Sequence, residues 1–473
     1  MTRLSLDSTA LAHLKSVVGE RGYSDDPAEI APHLTEWRDK YHGHSPLLLK
    51  PATTGEVSAI LGICNEAQIP IVPQGGNTGL VGGQMPFDGE ILLSLQRMTR
   101  LRQIDTQNMS MTIEAGAVLA NVQQIAAESG VYFPLSLAAE GSCTIGGNLS
   151  TNAGGVNVLR YGSARNLVLG LEVVLADGRV LDLLRGLRKD NTGYDLKQLF
   201  IGAEGTLGVI TAATLKLFSM PAERETAFAS VPDPEAAIAL LRRLEERTGE
   251  LVSAFELIPR TGLEFVLAHI PQVADPLAAP CSWYVLVEVT SGAAPGLRNI
   301  LESALAAAID DGVAIDAVIA GSETQRASLW RLRDSLSEAQ KYEGGSVKHD
   351  VSVPISRIPS FLREAISIVT ALVPGARPVP FGHLGDGNIH FNVSVPKGGD
   401  DAAFLARWGE IARAIHDLAH RLGGSISAEH GLGVMKRDEI LRYKSQEEVD
   451  VMRALKRMLD PNGILNPGKV VAV

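Results

Sequence analysis

Residues 74–83 read QGGNTGLVGG and follow a short apolar strand predicted at residues 70–73, which has a proline at each end. Because glycine lacks a Cβ, backbone N–H groups in such a loop can approach a diphosphate closely, and Asn77 and Thr78 add side-chain donors. The glycine spacing differs from G-x-G-x-x-G, which argues against a Rossmann dinucleotide site. Tight turns also contain such glycine runs, so this loop alone does not decide between a turn and a phosphate site.

Two later segments favour the phosphate site. Residues 141–155 read GSCTIGGNLSTNAGG, and residues 201–210 read IGAEGTLGVI, where a loop runs into a strand. A polar glycine loop as long as the first of these is costly to order unless a ligand organises it. The first half of the chain is therefore predicted to bind a cofactor.

Strands and helices are predicted to alternate without a regular βαβ repeat, which indicates an α+β protein. The predicted strands include residues 70–73, 91–95, 111–115, 169–175, 283–289 and 390–395. The predicted helices include residues 7–20, 55–67, 119–129, 235–247, 297–310, 401–422 and 447–459. Short strands with glycine-rich turns give way to amphipathic helices near residue 220. We therefore predict one domain over residues 1–220 and a second over residues 221–473.

Near the C-terminus, residues 382–390 read GHLGDGNIH and residues 428–433 read AEHGLG. The two segments offer three histidines and a carboxylate, a nitrogen and oxygen ligand set without cysteine. A strand at residues 390–395 would place His390, Asn392 and Ser394 on one face. Taken singly, each histidine is better explained as a turn residue than as a metal ligand. Taken together, they favour a divalent metal site; zinc suits two histidines and a glutamate, and manganese, iron or cobalt would also fit.

Upstream lies a candidate site for a carboxylate. Arg333 and Ser337 are four residues apart and would share one face of a helix, and Lys348 would enter a strand that ends at Pro354. Two cations and a hydroxyl could bind a carboxylate, Arg333 as a fork and Lys348 as a point charge. Surface charges are the alternative explanation for each cation.

Composition excludes several classes of function. The chain has 473 residues with 43 Lys and Arg against 54 Asp and Glu, a net charge of −11, and no basic run, so it is a poor binder of nucleic acid or anionic membranes. Its three scattered cysteines, Cys64, Cys143 and Cys281, give neither a disulfide framework nor an iron–sulfur cluster. Without an apolar signal segment or a run long enough to span a bilayer, we expect a cytoplasmic protein.

The three glycine-rich segments, together with DNTGYDL at residues 190–196, resemble the FAD-binding domain of the vanillyl-alcohol-oxidase or PCMH-type flavoproteins. The resemblance implies two α+β subdomains with FAD between them. It also implies non-covalent FAD, because Asn77 stands where covalent members often carry histidine. The cofactor-binding residues that it implies are Pro73, Gly75, Gly76, Asn77, Thr78, Gly79, Leu80, Ser136, Gly141, Ser142, Thr144, Gly147, Asn148, Thr151, Asn152, Ala153, Gly155, Glu204, Gly208, Val209, Ile210 and Asn466.

The second half resembles the C-terminal domain of FAD-linked D-2-hydroxyacid dehydrogenases, on the motifs GHLGDGNIH and EHGLG. This implies an antiparallel sheet with a C-terminal helical segment, and a metal-dependent enzyme. That enzyme would oxidise a D-2-hydroxy acid, first of all D-2-hydroxyglutarate, to the 2-oxo acid by hydride transfer to flavin N5. The implied metal ligands are His383, His390 and Glu429. The implied substrate-binding residues are Arg333, Ser337, Lys348, Asn392 and His430.

His430 is the implied catalytic base. Arg333, Ser337 and Lys348 would bind the distal carboxylate of a diacid. Ser337 departs from the family pattern, where threonine is expected; serine keeps the hydroxyl and loses a methyl group, which could admit a different diacid.

Several alternatives remain open from the sequence. The enzyme could instead act on D-lactate or glycolate as a subunit of a complex, or on a diacid of the D-malate type. An oxidase that uses O₂ and a non-catalytic flavin- or metal-binding module are the other classes. Because the chain lacks cysteine clusters, its electrons would pass to an external acceptor, an electron-transfer flavoprotein or a quinone route. A homodimer is a further open alternative.

Overall fold

The computed structural model describes residues 8–472, which divide into two compact units. The first comprises residues 8–155, 162–219 and 429–472, and the second residues 156–161 and 220–428. The units therefore differ from the predicted division at residue 220, because the last 44 described residues return to the first unit. Leu465 forms a parallel bridge with Ile71, and both side chains are fully buried. Burial of these two side chains holds the end of the chain against the strand Ile71–Gln74.

The first unit contains a four-stranded sheet next to the first glycine-rich loop. Its strand order is Tyr23–Ser24, Leu48–Leu49, Ile91–Ser94, Ile71–Gln74. The first pair is antiparallel and the others are parallel. Every residue of Ile91–Ser94 is buried, as expected for an apolar run in a parallel strand that is covered on both faces.

The first unit also contains an antiparallel sheet of five strands. Its strand order is Leu101–Asp105, Ser110–Glu114, Val209–Lys216, Val168–Val174, Val180–Leu183. A separate pair joins Val131–Tyr132 to Phe218–Ser219. The helices of the first unit are Ser8–Val18, Pro27–Ile30, Thr54–Glu66, Leu119–Glu128, Ile145–Ser150, Lys197–Phe200, Ile440–Tyr443 and Gln446–Leu459, with 3-10 turns at Glu20–Gly22, Ala31–His33 and Ala164–Leu167. The first residue of the helix predicted at 7–20 lies outside the described residues.

The second unit is built on an antiparallel sheet of eight strands. Seven of them follow the order Asp316–Ile319, Glu223–Val231, Trp283–Ser291, Val252–Pro259, Arg377–His383, Asn388–Ser394, Ser346–Val347. The eighth, Val351–Ser352, also pairs with Asn388–Ser394. The helices of this unit are Val158–Tyr161, Pro234–Thr248, Arg260–His269, Leu297–Asp310, Glu323–Asp334, Leu336–Ala339, Ile358–Leu372, Asp401–Ala406 and Trp408–Arg421, with 3-10 turns at Gln340–Glu343, Ile355–Arg357 and Leu384–Asp386. The α+β prediction is confirmed.

One hairpin of this sheet carries the motif GHLGDGNIH. Arg377–His383 and Asn388–Ser394 pair through a tight turn that ends at Gly387, whose φ is 89°. A Cβ at Gly387 would lie 2.4 Å from the carbonyl oxygen of Val353, so only glycine fits. The hairpin brings the two histidine-bearing strand ends side by side.

The helix predicted at residues 401–422 is in fact two helices, which is a correction. The first helix is Asp401–Ala406 and the second is Trp408–Arg421. Arg407, whose φ and ψ are −89° and 7°, separates them. The Arg407 guanidinium donates to the carbonyl of Leu372 and to Glu410, which holds the chain at the break. Among the helices of residues 8–472, none is long and apolar enough to cross a membrane.

Candidate functional site

A cavity in the first unit is lined by all three glycine-rich segments. Residues of the ranges 73–84, 137–155 and 204–210 form most of its walls, together with Leu95, Ala115, Glu429 and His430. The predicted cofactor residues on these walls are Pro73, Gly75, Gly76, Asn77, Thr78, Gly79, Leu80, Thr144, Gly147, Asn148, Thr151, Ala153, Gly155, Glu204, Gly208, Val209 and Ile210. The fold thus brings together segments that are 130 residues apart in the chain.

Five predicted cofactor residues are not among those that line the cavity: Ser136, Gly141, Ser142, Asn152 and Asn466. Two of them hold loops in place instead. The Asn152 Oδ1 accepts the backbone N–H of Arg165, and the Asn466 Nδ2 donates to the carbonyl of Gly83. Contacts of all five residues with the cofactor stay predictions.

The cavity fits a nucleotide cofactor. A Cβ at Gly76 would lie 1.9 Å from the carbonyl oxygen of Ser142, and one at Gly75 would lie 2.4 Å from the Thr144 Oγ1, so two glycine-rich segments of the wall pack against each other without room for a side chain at either position. The buried Nδ2 of Asn148 finds no hydrogen-bond partner among residues 8–472. A ligand in the cavity would satisfy this donor, which is otherwise costly to bury.

Glu429 and His430 belong to the first unit and line the same cavity. The Glu429 Oε2 accepts the backbone N–H of Gly155 at 3.1 Å, and the His430 Nε2 lies 4.0 Å from the Glu429 Oε1. The sequence singled out both side chains but did not predict that they lie on the cofactor cavity. Their placement puts a potential proton acceptor where the cofactor would bind.

Glu204 lines the cavity too, and its carboxylate is already engaged. It accepts the backbone N–H groups of Leu432 and Gly433. Burial raises the pKa of Glu204, while these two donors and the charge of Lys436 lower it in part. Glu204 therefore also holds the backbone of a neighbouring segment, and its contact with the cofactor stays a prediction.

In the second unit, a fully buried glutamate that the sequence analysis missed organises two predicted site residues. The Glu256 carboxylate accepts the Arg333 Nε–H at 2.5 Å, and its other oxygen lies 2.6 Å from the His383 Nδ1. Burial by itself would raise the pKa of Glu256, but the charges and hydrogen bonds of Arg333 and His383 outweigh it and lower this pKa to about 2. Arg333, predicted to face substrate, is thus bound to a buried carboxylate and lies over the Phe381 ring at 5.1 Å.

The contact with Glu256 also supports a metal-binding role for His383. A carboxylate on Nδ1 fixes the tautomer that leaves Nε2 as the ligand atom, the usual arrangement around a metal-bound histidine. The rings of His383 and His390 are 5.5 Å apart. Asp350 lies 3.8 Å from the His390 Nδ1 and accepts a hydrogen bond from Asn388, so Asp350 and His390 are a candidate pair of ligands. Asp350 was missed, although it follows Lys348 by two residues.

The other predicted substrate residues occupy different environments. Asn392 is buried, and its Nδ2 donates to the Gln340 Oε1 at 2.7 Å. Ser337 is half-buried on the helix Leu336–Ala339, which a break at Ser335 separates from the helix of Arg333. Lys348 is half-buried in the connection between two short strands rather than within one.

The predicted ligand set draws on both units, with His383 and His390 in the second and Glu429 in the first. Assembly of the three around one ion, and zinc as that ion, stay predictions. The substrate contacts of Arg333, Ser337, Lys348 and Asn392 stay predictions as well.

Two family models match the chain. The model described as FAD linked oxidases, C-terminal domain, matches residues 220–470, and the model described as FAD binding domain matches residues 45–184. Together they cover most of the described sequence and confirm the two family resemblances that the motifs indicated.

Curated relatives extend over nearly the whole chain. A probable mitochondrial D-2-hydroxyglutarate dehydrogenase from Oryza sativa subsp. indica is 42% identical over 98% of this chain and 82% of its own length. The mitochondrial D-2-hydroxyglutarate dehydrogenase of Bos taurus is 41% identical over 98% of this chain and 83% of its own. A putative mitochondrial D-lactate dehydrogenase of Schizosaccharomyces pombe is 38% identical over 97% and 89%.

Among solved structures, p-cresol methylhydroxylase has a TM-score of 0.77 at 17% identity, covering 98% of this chain and 96% of that one. Alkyldihydroxyacetonephosphate synthase has a TM-score of 0.75 at 17% identity, covering 99% and 87%. At this identity the likeness speaks for the fold alone. It confirms the predicted PCMH-type architecture.

The expected cytoplasmic location is contradicted by the relatives, because those from Oryza sativa, Arabidopsis thaliana and Bos taurus are named mitochondrial. The expectation rested on the lack of an apolar signal segment. Mitochondrial targeting segments are amphipathic rather than apolar, so that criterion does not detect them.

Proposed function

The chain belongs to the FAD-linked oxidase family and is an FAD-dependent oxidoreductase acting on a hydroxyl donor, and from this premise we propose that it oxidises D-2-hydroxyglutarate to 2-oxoglutarate. The proposal rests on the similarity to proteins named D-2-hydroxyglutarate dehydrogenase, which extends over 98% of the chain. The residues of the site support it, since the first unit offers a cofactor cavity with a histidine and the second offers cations and metal-ligand groups.

FAD, when bound, supplies the acceptor for two electrons and a metal ion, when bound, supplies a Lewis acid for the substrate oxygens. His430 takes the proton of the substrate hydroxyl as general base, for which its place on the cavity wall suits it. The second unit contributes His383 and His390 as metal ligands. Glu256 holds the His383 ring with its Nδ1 bound, which orients the ligand atom.

Lys348 and Arg333, with the Ser337 hydroxyl, bind the carboxylate that distinguishes a diacid from lactate. The bond from the Arg333 Nε to Glu256 fixes the plane of the guanidinium, so the cation is presented in one orientation. Lys348 contributes a point charge. An external acceptor, an electron-transfer flavoprotein or a quinone route, would receive the two electrons.

D-Lactate is the second candidate substrate, because the relative from Schizosaccharomyces pombe is named a putative D-lactate dehydrogenase. Lactate has no distal carboxylate, so it would gain nothing from Lys348. This difference separates the two candidates experimentally.

Replacing Lys348 by methionine is expected to lower kcat/KM for D-2-hydroxyglutarate by about 10- to 100-fold, because a charge-assisted hydrogen bond contributes about 1.5–3 kcal/mol. The value for D-lactate should change by no more than about twofold. Dye-linked steady-state assays measure both. Lys397→Met, an exposed lysine of the same unit, is the matched control. Equal losses for the two acids would count against a diacid pocket at Lys348.

Replacing Gly76 by alanine is expected to weaken FAD binding by about tenfold or more, because overpacking by one methyl group costs about 1–3 kcal/mol and displaces a loop that lines the cavity. The added Cβ would lie 1.9 Å from the carbonyl oxygen of Ser142, so the loop has to move. The ratio of flavin to protein absorbance in purified protein measures the loss. Gly62→Ala, where a Cβ meets nothing within 4 Å, should keep wild-type flavin content. Full flavin content in both variants would show that the 74–83 loop does not hold the cofactor.

A further inference from the structure

The segment 429–433 of the first unit is anchored on both sides of His430. On one side the Glu429 Oε2 accepts the backbone N–H of Gly155 at 3.1 Å. On the other side the backbone N–H groups of Leu432 and Gly433 donate to the two carboxylate oxygens of Glu204, at 2.7 and 2.9 Å. His430 therefore sits on a short loop whose two ends are both tied to the wall of the cofactor cavity.

Glu204 itself is held in an unusual backbone conformation. Its φ of 51° is in the left-handed region, which a residue other than glycine adopts only when its surroundings impose it. The Glu204 N–H donates to the carbonyl of Ser150, and its carbonyl oxygen accepts from the Asn466 Nδ2. Such strain concentrates at functional sites, where it fixes the direction of a side chain.

The loop wraps closely around the Glu204 carboxylate. A Cβ at Gly431 would lie 2.7 Å from the Glu204 Oε1, and Gly431 has a φ of 82°. The glycine next to His430 is therefore needed for the backbone to reach the carboxylate. The side chain of Glu204 is nearly inaccessible to solvent, so water cannot readily replace its two hydrogen bonds to the loop.

We propose that Glu204 is a positioning residue whose carboxylate holds the 429–433 loop so that His430 is presented to the cofactor cavity. The catalytic consequence rests on the proposed role of His430 as base; the anchoring of the loop does not. Glu204 thus acts on the reaction through the loop backbone rather than by touching substrate.

Hydrogen exchange of the peptide that covers residues 429–435 tests the anchoring directly. In Glu204→Ala, the Leu432 and Gly433 amides lose their acceptors, and their exchange should accelerate by about tenfold or more. Glu204→Gln keeps one carbonyl oxygen as an acceptor and should give an intermediate rate. Because Glu204 lines the cavity, the measurement is made on FAD-free protein as well as on the holoenzyme, so that a change in flavin content cannot mimic the result.

Kinetics test the consequence for catalysis. A base displaced by about 1 Å can cost about 100-fold in rate, so kcat of Glu204→Ala, per bound FAD, should fall by roughly 10- to 100-fold, with KM within about twofold of wild type. Glu204→Gln should recover part of the loss. Glu172→Gln is the matched control, since Glu172 is a buried carboxylate of the same unit that binds Arg102, Thr54 and Thr211 and does not line the cavity.

Wild-type exchange of the 429–435 peptide in Glu204→Ala would overturn the proposal. Equal acceleration of this peptide in Glu172→Gln would also overturn it, because the effect would then reflect general loss of stability. If the peptide exchanges faster but the wild-type protein oxidises no 2-hydroxy acid, the anchoring stands and the proposed function fails.

Discussion

His430→Asn is expected to lower kcat for D-2-hydroxyglutarate by about 10²- to 10⁴-fold, the usual contribution of a general base, while FAD remains bound. His430 lines the cofactor cavity and is the histidine of its wall, so its removal takes away the proton acceptor without closing the cavity. Asparagine is smaller than histidine and adds no bulk to the wall. Stopped-flow reduction of the flavin, with the flavin content determined first, measures the effect.

The matched control for this variant is His44→Asn, which replaces an exposed histidine of the same unit. It should leave both the rate and the flavin content unchanged. A loss of less than threefold in His430→Asn would assign the proton to another acceptor. A loss of FAD in step with the rate would mean that His430 supports cofactor binding instead.

Glu256→Gln is expected to destabilise the protein by about 3–5 kcal/mol, the usual cost of removing one partner of a buried ion pair. The Arg333 guanidinium would keep its charge in a buried setting, where a neutral Gln replaces the Glu256 carboxylate. The His383 ring would lose the carboxylate on its Nδ1, and the metal concentration needed for half-maximal activity should rise by about 10- to 100-fold. Thermal unfolding and metal titration measure the two effects.

Ionisation of Glu256 makes the stability of the folded protein depend on pH. The pKa of Glu256 is lowered in the folded protein from its ordinary 4.5 to about 2. The ionised form is thus favoured by folding, so the contribution of Glu256 to stability is complete above about pH 4.5 and is lost as the pH falls toward 2. Acid unfolding of Glu256→Gln should therefore be less steep than that of the wild type over this range.

A double variant provides the control for the ion pair. Glu256→Gln combined with Arg333→Met removes both charges and should recover part of the stability that Glu256→Gln alone loses. No recovery, together with an unchanged acid profile in the single variant, would mean that the pair does not contribute in the way its burial indicates.

The local features of the site could be predicted from the sequence. The alternation of residues 390–395 predicts which side chains share a face, and the structure shows Phe391 packed against Phe361 while Asn392 turns to Gln340. The glycines of residues 74–83 likewise predict close backbone approach, because a missing Cβ acts locally whatever the rest of the fold does.

Features that depend on distant contacts were not predictable. Glu256 looks like an ordinary residue of an apolar strand, and its partners Arg333 and His383 lie 77 and 127 residues away in the chain. The return of residues 429–472 to the first unit involves contacts with distant segments, such as the bridge between Leu465 and Ile71. Glu204 was selected for the glycines around it, and only the fold reveals that its carboxylate binds the loop of His430.

The most direct test of the account is anaerobic. Purified protein is mixed with D-2-hydroxyglutarate or D-lactate, with and without prior removal of metal by a chelator, and the visible absorbance of the bound flavin is followed. We expect rapid bleaching by D-2-hydroxyglutarate that is lost after chelation and restored by added zinc, with D-lactate slow throughout. Bleaching by D-lactate alone, or bleaching by neither acid in metal-replete protein, would contradict it.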